Sequence, residues 1–230
     1  MKILAIETSC EHASVALLVD GVVVDRRLEG HANHSEHLLP TLRRLLGDAG
    51  LPIATLDAIA FGAGPGAFTG VRLACGVAQG LGMGAGIGVV PICSLAALAL
   101  QGEGSTVFAA TDARMGEVYS AAYRIDGERA IEVQGPACSP PQQLTLPAGE
   151  RWFGVGSALR VHEASIAPSV LARLAGRDST AVPRAADVAR LAAGEVREGR
   201  LLAPEYAVPL YVRDKVALTT AERLARGGRA

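Results

Sequence analysis

From Leu73 to Gly102 the chain carries no charged side chain, a stretch long enough to cross a bilayer as a helix. How that stretch is disposed of decides the class of fold. Gln79, seven glycines and Pro91 interrupt it. They divide it into a glycine-spaced segment, LACGVAQGLGMGAG, a short apolar run, IGVVPI, and a second apolar segment, CSLAALAL. The lengths and breakers predict a buried strand between two helices, with no membrane span. At the N-terminus the apolar run Ile3 to Ile6 ends at once in Glu7, so no signal peptide is expected.

Just upstream, Leu56 to Phe61 (LDAIAF) reads as a strand, and GAGPGAFTGVR, residues 62 to 72, as a tight loop opening a helix near Gly70. Gly62, Gly64, Gly66 and Gly70 relax backbone sterics there, and Pro65 fixes one φ. Such a loop leaves backbone N–H groups at the positive end of a helix, which suits an anion or simply a sharp turn. It is not a Walker A loop, because no Gly-Lys-Ser/Thr ends it. Gly62-x-Gly64-x-x-Ala67 meets a loose dinucleotide pattern, but the next acid after Asp57 is Glu103, so the ribose partner is missing. In the helix itself Gly76, Gly80 and Gly84 recur one turn apart and form a bare groove, with Ala74, Ala78 and Leu81 beside it. Each costs about 1 kcal/mol relative to alanine, which calls for a reason. Close approach of another helix supplies one, and that helix is either internal, for example Leu38 to Leu46, or part of another protein.

The remaining segments follow the same mixed pattern. Lys2 to Glu7 and Val15 to Val19 read as strands, and Asp20-Gly21 as a hairpin turn into VVVDRRL. Thr8, Ser9 and Ser14 place hydroxyls at the first turn, where they either face a phosphate or satisfy the turn's own backbone. HANHSEH contains His31, His34 and His37, but only Glu36 lies nearby as a further ligand type, so it reads as a helix entrance capped by Asn33 or Ser35. The helix after it has Leu38, Leu42, Leu45 and Leu46 on one face, with Pro40 early. QGEGS is the best linker, giving an N-terminal lobe of residues 1–102 and a smaller C-terminal lobe of 103–230. The second half restarts with two strands around a turn at Asp112 to Gly116, then IEVQG as a third, a proline-rich loop, and strand and turn at RWFGVGSAL. LARLAG and AADVARLAAGEVREG read as helical, and PLYVRD closes the chain before a basic, frayed end. Both halves thus open with strand, polar turn, strand, which suggests a duplicated α/β unit.

Composition narrows the function. A formal net charge of −1 and 4% aromatic residues give neither the basic patch nor the stacking platform of a protein that binds nucleic acid alone. Cys10, Cys75, Cys93 and Cys138 lie far apart without metal-site spacing, as expected of free thiols in a reducing compartment. Cys10 with His12 is a weak candidate for a thiol nucleophile, and no Gly-x-Ser-x-Gly, HExxH or paired carboxylates stand out.

IETSCEHASVALL, HSEHLLP, GAGPGAFTGVR, DARMGEVY and PLYVRD, in this order, resemble the TsaB (YeaZ) family, accessory proteins of tRNA threonylcarbamoyladenosine synthesis and paralogues of TsaD. The resemblance implies an α/β, two-lobed fold of the actin, sugar kinase and Hsp70 class, each lobe a mixed sheet with flanking helices. It implies that the turns holding Thr8, Ser9, Ser14, Asp112 and Arg114 correspond to phosphate-facing hairpins, here vestigial. TsaD carries a metal-binding HxxxH soon after a strand ending in proline, whereas the matching window after Pro91 runs from Ser94 to Leu98. Leucine offers no ligand atom, so the resemblance implies a catalytically silent subunit with no metal, no cofactor and no catalytic residue. Its implied partners are TsaD, in a heterodimer, and TsaE, with tRNA met mainly through the complex and a homodimer in isolation as an option. The location would be cytoplasmic. The candidate partner surface is Leu38, Leu42, Leu45, Leu73, Gly76, Val77, Gly80, Leu81 and Gly84. The alternatives are a stand-alone ATPase or peptidase-like enzyme of the same superfamily, and a structural homodimer.

Overall fold

The structure, a computed structural model, describes residues 1–28 and 34–213. It begins with three antiparallel strands, β1 (Lys2–Glu7), β2 (Ser14–Val19) and β3 (Val22–Arg27). Asp20 and Gly21 both take positive φ, as a two-residue hairpin turn requires. Helix α1 (His34–Asp48) leads to β4 (Ala58–Gly64), then α2 (Phe68–Ala85) to β5 (Val89–Cys93), both strands parallel to β1. The short α3 (Ser94–Ala99) ends the first half. The second half gives β6 (Thr106–Asp112), β7 (Val118–Asp126) and β8 (Arg129–Ser139), then β9 (Trp152–Val155). Two single-turn helices, α4 (Ala158–Val161) and α5 (Pro168–Leu171), precede β10 (Leu174–Asp178), and α6 (Ala185–Arg197) follows.

The two five-stranded sheets repeat one topology. The first has the order β3-β2-β1-β4-β5 and the second β8-β7-β6-β9-β10, each an antiparallel meander with two parallel strands on its other side. This is the two-lobed fold of the actin, sugar kinase and Hsp70 class, and the duplication expected from the two halves is present in the strand order. Among the described residues no helix is long and apolar enough to cross a membrane. The uncharged stretch is instead α2, β5 and α3.

Period-two alternation divides the first core. Leu4, Ile6, Val15 and Leu17 meet Leu38, Leu42, Leu45, Ala74, Cys75 and Ala78 from α1 and α2 on one face. Ile3, Ala5, Ala16 and Leu18 meet Ala185, Val188, Ala189 and Ala192 of α6 on the other. A helix from beyond residue 102 thus covers the first sheet. Conversely, Leu95, Leu98 and Ala99 of α3 pack with Val107, Ala109, Tyr123 and Val155 of the second. Packing does not respect a division at residue 102, because each half lends a helix to the other's sheet.

Three local expectations need correction. LARLAG is helical only at Leu171, the end of α5; from Leu174 its backbone pairs with β9 as the start of the edge strand β10. Strand β8 runs through Pro136 to Ser139 where a loop was expected, since an edge position tolerates a missing donor. Pro40 lies in the second turn of α1, where the N–H it lacks would have met the Glu36 carbonyl, and Ser35 is within the helix rather than its cap. His31, Asn33 and the end from Asp214 onward lie outside the described residues.

Candidate functional site

The glycine loop is shaped by the first turn of the chain, against which it lies. A Cβ at Gly62 would come within 2.0 Å of Glu7 Oε2, one at Gly66 within 2.5 Å of the Ser9 Cβ and carbonyl, and one at Gly70 within 1.9 Å of the Thr8 carbonyl. Ala67 N–H donates to the Ser9 carbonyl at 2.7 Å and the Thr8 hydroxyl to the Gly70 carbonyl at 2.7 Å. Three glycines are therefore explained by close approach to residues 7–9.

Beneath this contact lies a group that sequence reasoning passed over. Glu7 is only 1% exposed. Its Oε1 accepts the Ser9 N–H at 2.6 Å and its Oε2 the Ser94 hydroxyl at 2.7 Å, while Ser94 Oγ accepts the Gly64 N–H at 3.2 Å. Burial pushes the Glu7 carboxyl above its ordinary value, and the hydrogen bonds from Ser9 and Ser94 only partly oppose that. The available signal was a carboxylate closing a wholly apolar central strand, where it has to be buried.

The two lobes face each other across a cleft of about 720 Å³. From the first lobe come Ser9, Cys10 and the loop residues Gly66 and Ala67, and from the second Asp112, Arg114, Ser157 and Arg160. Asp112 Oδ1 accepts from the Arg114 N–H at 3.1 Å and lies 2.9 Å from His162 Nε2, while Oδ2 is 3.3 Å from the Arg114 guanidinium. Arg114 and Met115 both take positive φ, uncommon outside glycine, so the 112–117 turn is tightly specified. The chain's last described segment crosses the cleft mouth: Leu210 N–H donates to the Ala63 carbonyl at 2.8 Å, and Arg213 reaches the Ala113 carbonyl at 2.8 Å.

Of the hydroxyl and turn residues named from sequence, Ser9, Asp112 and Arg114 reach this cleft. Thr8 and Ser14 do not. Thr8 is sealed against α2, and Ser14 Oγ accepts the Ala185 N–H at 2.9 Å, holding the start of α6. For those two the hydroxyls satisfy the protein's own backbone, the simpler of the two readings of this turn. Cys10 is unsuited to nucleophilic attack at neutral pH, since burial first and the Glu7 charge second push its thiol up to about 12.

The second candidate surface is α2. Gly70, Val71, Ala74, Cys75, Ala78 and Gly82 are buried, which exposes the opposite face. There a Cβ at Gly76, Gly80 or Gly84 would meet nothing within 4 Å among the described residues, and no helix among them fills the groove. At about 100° per residue, Leu73, Gly76, Val77, Gly80, Leu81 and Gly84 fall within one arc of about 140°. Ala74 adjoins the Leu81 edge of that arc and Ala78 lies further round, both on the buried side of the helix. Leu38 and Leu45 also fall outside any free surface, at 0% and 2% exposed and spent on the first sheet, and Leu42, 3% exposed, reaches only the floor of the groove beside α1. The exposed side of α1 offers Leu39 instead, beside a groove of about 940 Å³ that Leu46, Leu51, Ile53 and Leu81 also line.

Residues 29–221 match the family described as TsaD, tRNA N6-adenosine threonylcarbamoyltransferase. The chain is also 37% identical over 227 residues to the tRNA threonylcarbamoyladenosine biosynthesis protein TsaB of Escherichia coli K12, covering 94% of this chain and 96% of that one. The chain belongs to the TsaB family. The TsaB of Haemophilus influenzae is 35% identical over 230 residues, covering 94% and 95% of the two chains. The solved structure of YeaZ from Pseudomonas aeruginosa superposes with a TM-score of 0.84 at 36% identity, covering 91% of this TsaB-family chain and 99% of that one.

Proposed function

We propose that this chain is a non-catalytic scaffold in tRNA threonylcarbamoyladenosine synthesis. It binds TsaD, and with it the ATPase TsaE, for transfer of threonylcarbamoyl from its adenylate to N6 of the adenosine beside the anticodon. The observation that carries this reading is the uncovered glycine face of α2. Three interior glycines weaken the helix, and among the described residues nothing uses the space they leave. Another helix laid against that face would use it. The names of the Escherichia coli and Haemophilus influenzae relatives support the pathway. Catalytic silence is supported by the window after Pro91, where Ser94 is bound to Glu7 and Leu98 is wholly buried. A near-neutral charge suits a subunit that leaves tRNA contact mainly to its partner in the cytoplasm.

Gly80→Leu puts four carbons into the open groove. On this reading it leaves the fold intact by circular dichroism and abolishes co-purification with TsaD. Wild-type co-purification by a folded Gly80→Leu protein would sink the interface. A solved Pseudomonas aeruginosa relative is described as similar to a peptidase, but the elevated Cys10 thiol speaks against Cys10 as a peptidase nucleophile here.

A further inference from the structure

Residues 207–213 touch α2, the end of β4 and the 112–117 turn of the second lobe, beside the packing of α3 and α6 that also joins the two lobes. At one end the Ala207 carbonyl accepts from Gln79 Nε2 at 3.0 Å and from Cys75 Sγ at 3.5 Å, both on α2. In the middle Leu210 N–H is bound to Ala63, at the end of β4. Gly64 allows this approach, because its φ is +100° and a Cβ there would already lie 3.4 Å from the Leu210 carbonyl. Tyr211 stacks near Arg72 of α2, with the guanidinium carbon 5.2 Å from the ring centre.

The far end belongs to the second lobe. Arg213 donates to the Ala113 carbonyl at 2.8 Å, pairs with Glu117 Oε2 at 2.7 Å and lies 5.6 Å from the Tyr119 ring centre. Its side chain is only 14% exposed, and its Nε is buried without a hydrogen-bond partner among the described residues. A part-buried cation held by one carboxylate and by the carbonyls of Ala113 and Arg114 is costly to strip of these partners, so this end tends to move with the 112–117 turn. Between the anchors the segment is neither helix nor strand. Six peptide units span at most about 21 Å, which bounds how far the two ends of the strap can separate while both anchors hold.

We infer that residues 207–213 form a strap that couples opening of the interlobe cleft to the setting of α2, and so regulates the partner face. The inference rests on the reading of α2 as that face. When the lobes separate, the Arg213 end follows the 112–117 turn and the strap pulls on Ala63 and on Cys75 and Gln79. With the cleft closed, α2 is held in one position, and a partner helix meets a preformed surface rather than one it must order. Arg213 acts here as a positioning residue, remote from the glycine face it governs.

The test uses Arg213→Ala and Glu117→Gln, which break the same anchor from opposite sides, with Gly80→Leu measured alongside. Hydrogen exchange should accelerate at Leu210 and across residues 63–72 in both anchor variants. Affinity for TsaD should fall at least threefold in both, although neither residue lies on α2. Unchanged exchange at those amides overturns the strap. Faster exchange with wild-type affinity overturns the coupling while leaving the interface standing. Wild-type affinity in Gly80→Leu overturns the interface reading itself, and the inference with it. If Arg213→Ala fails to fold, Glu117→Gln alone decides by the same two readouts.

Discussion

Replacing Gly76 and Gly80 by alanine should make this protein more stable and a worse partner at once. Both residues are in the interior of an 18-residue helix, and an added Cβ meets nothing within 4 Å among the described residues at either. Each alanine therefore contributes its helix-propensity advantage of about 1 kcal/mol with no packing cost, or about 2 kcal/mol for the pair. For a chain of this length that corresponds to a rise in Tm of about 4–8 °C. The same two methyl groups would obstruct a helix packed against the glycines, at about 1–3 kcal/mol, or roughly 5- to 150-fold in Kd. Thermal melts followed by circular dichroism measure the first effect, and titration with TsaD the second. A lowered Tm would refute the claim that the face is open in the isolated chain, and would point to a homodimer using it. A raised Tm with unchanged affinity would refute its assignment to the partner.

Three further outcomes follow from the cleft side of α2. Gly70→Ala drives a Cβ into the Thr8 carbonyl and should cost about 1–3 kcal/mol or more in urea unfolding; wild-type stability would contradict the close-approach account of the loop. Glu7 has its folded pKa raised, so its contribution is complete below its ordinary value of 4.5 and is lost as pH rises through the folded value. Glu7→Gln should accordingly flatten the decline in Tm above pH 4.5, and parallel Tm–pH curves for variant and wild type would exclude Glu7 as its source. Iodoacetamide at pH 7.5 should modify Cys10 far more slowly than a free thiol, because burial holds it protonated up to about pH 12; rapid, selective labelling would reopen the nucleophile reading.

Much of the fold was legible because its mutually parallel strands β1, β4 and β5 are largely buried. LAI, AIAF and GVVPI read as continuous apolar runs, as parallel strands in a covered sheet must. The edges were harder. In LARLAG the leucines fall at helical spacing, and only the ladder to β9 makes it a strand. Leu38, Leu42 and Leu45 form a true amphipathic stripe, but an apolar face does not announce whether a sheet or another protein covers it. The glycines divided in the same way. At Gly62, Gly66 and Gly70 the reason is the chain's own first turn, while at Gly76 and Gly80 it is empty space, and the two cases look alike in sequence. Glu7 and the strap were hidden because their partners, Ser94 for one and Ala63 and Glu117 for the other, lie about 90 to 150 residues away in the chain.

The central claim is that this chain contributes a surface rather than a reaction. The direct measurement is formation of threonylcarbamoyladenosine in tRNA by TsaD and TsaE, with this protein omitted, added as wild type, or added as Gly80→Leu or Asp112→Asn. The account predicts that Gly80→Leu behaves like omission while Asp112→Asn supports modification close to the wild-type rate. Full activity with Gly80→Leu and loss of activity with a folded, TsaD-binding Asp112→Asn protein would contradict it and move the function into the cleft.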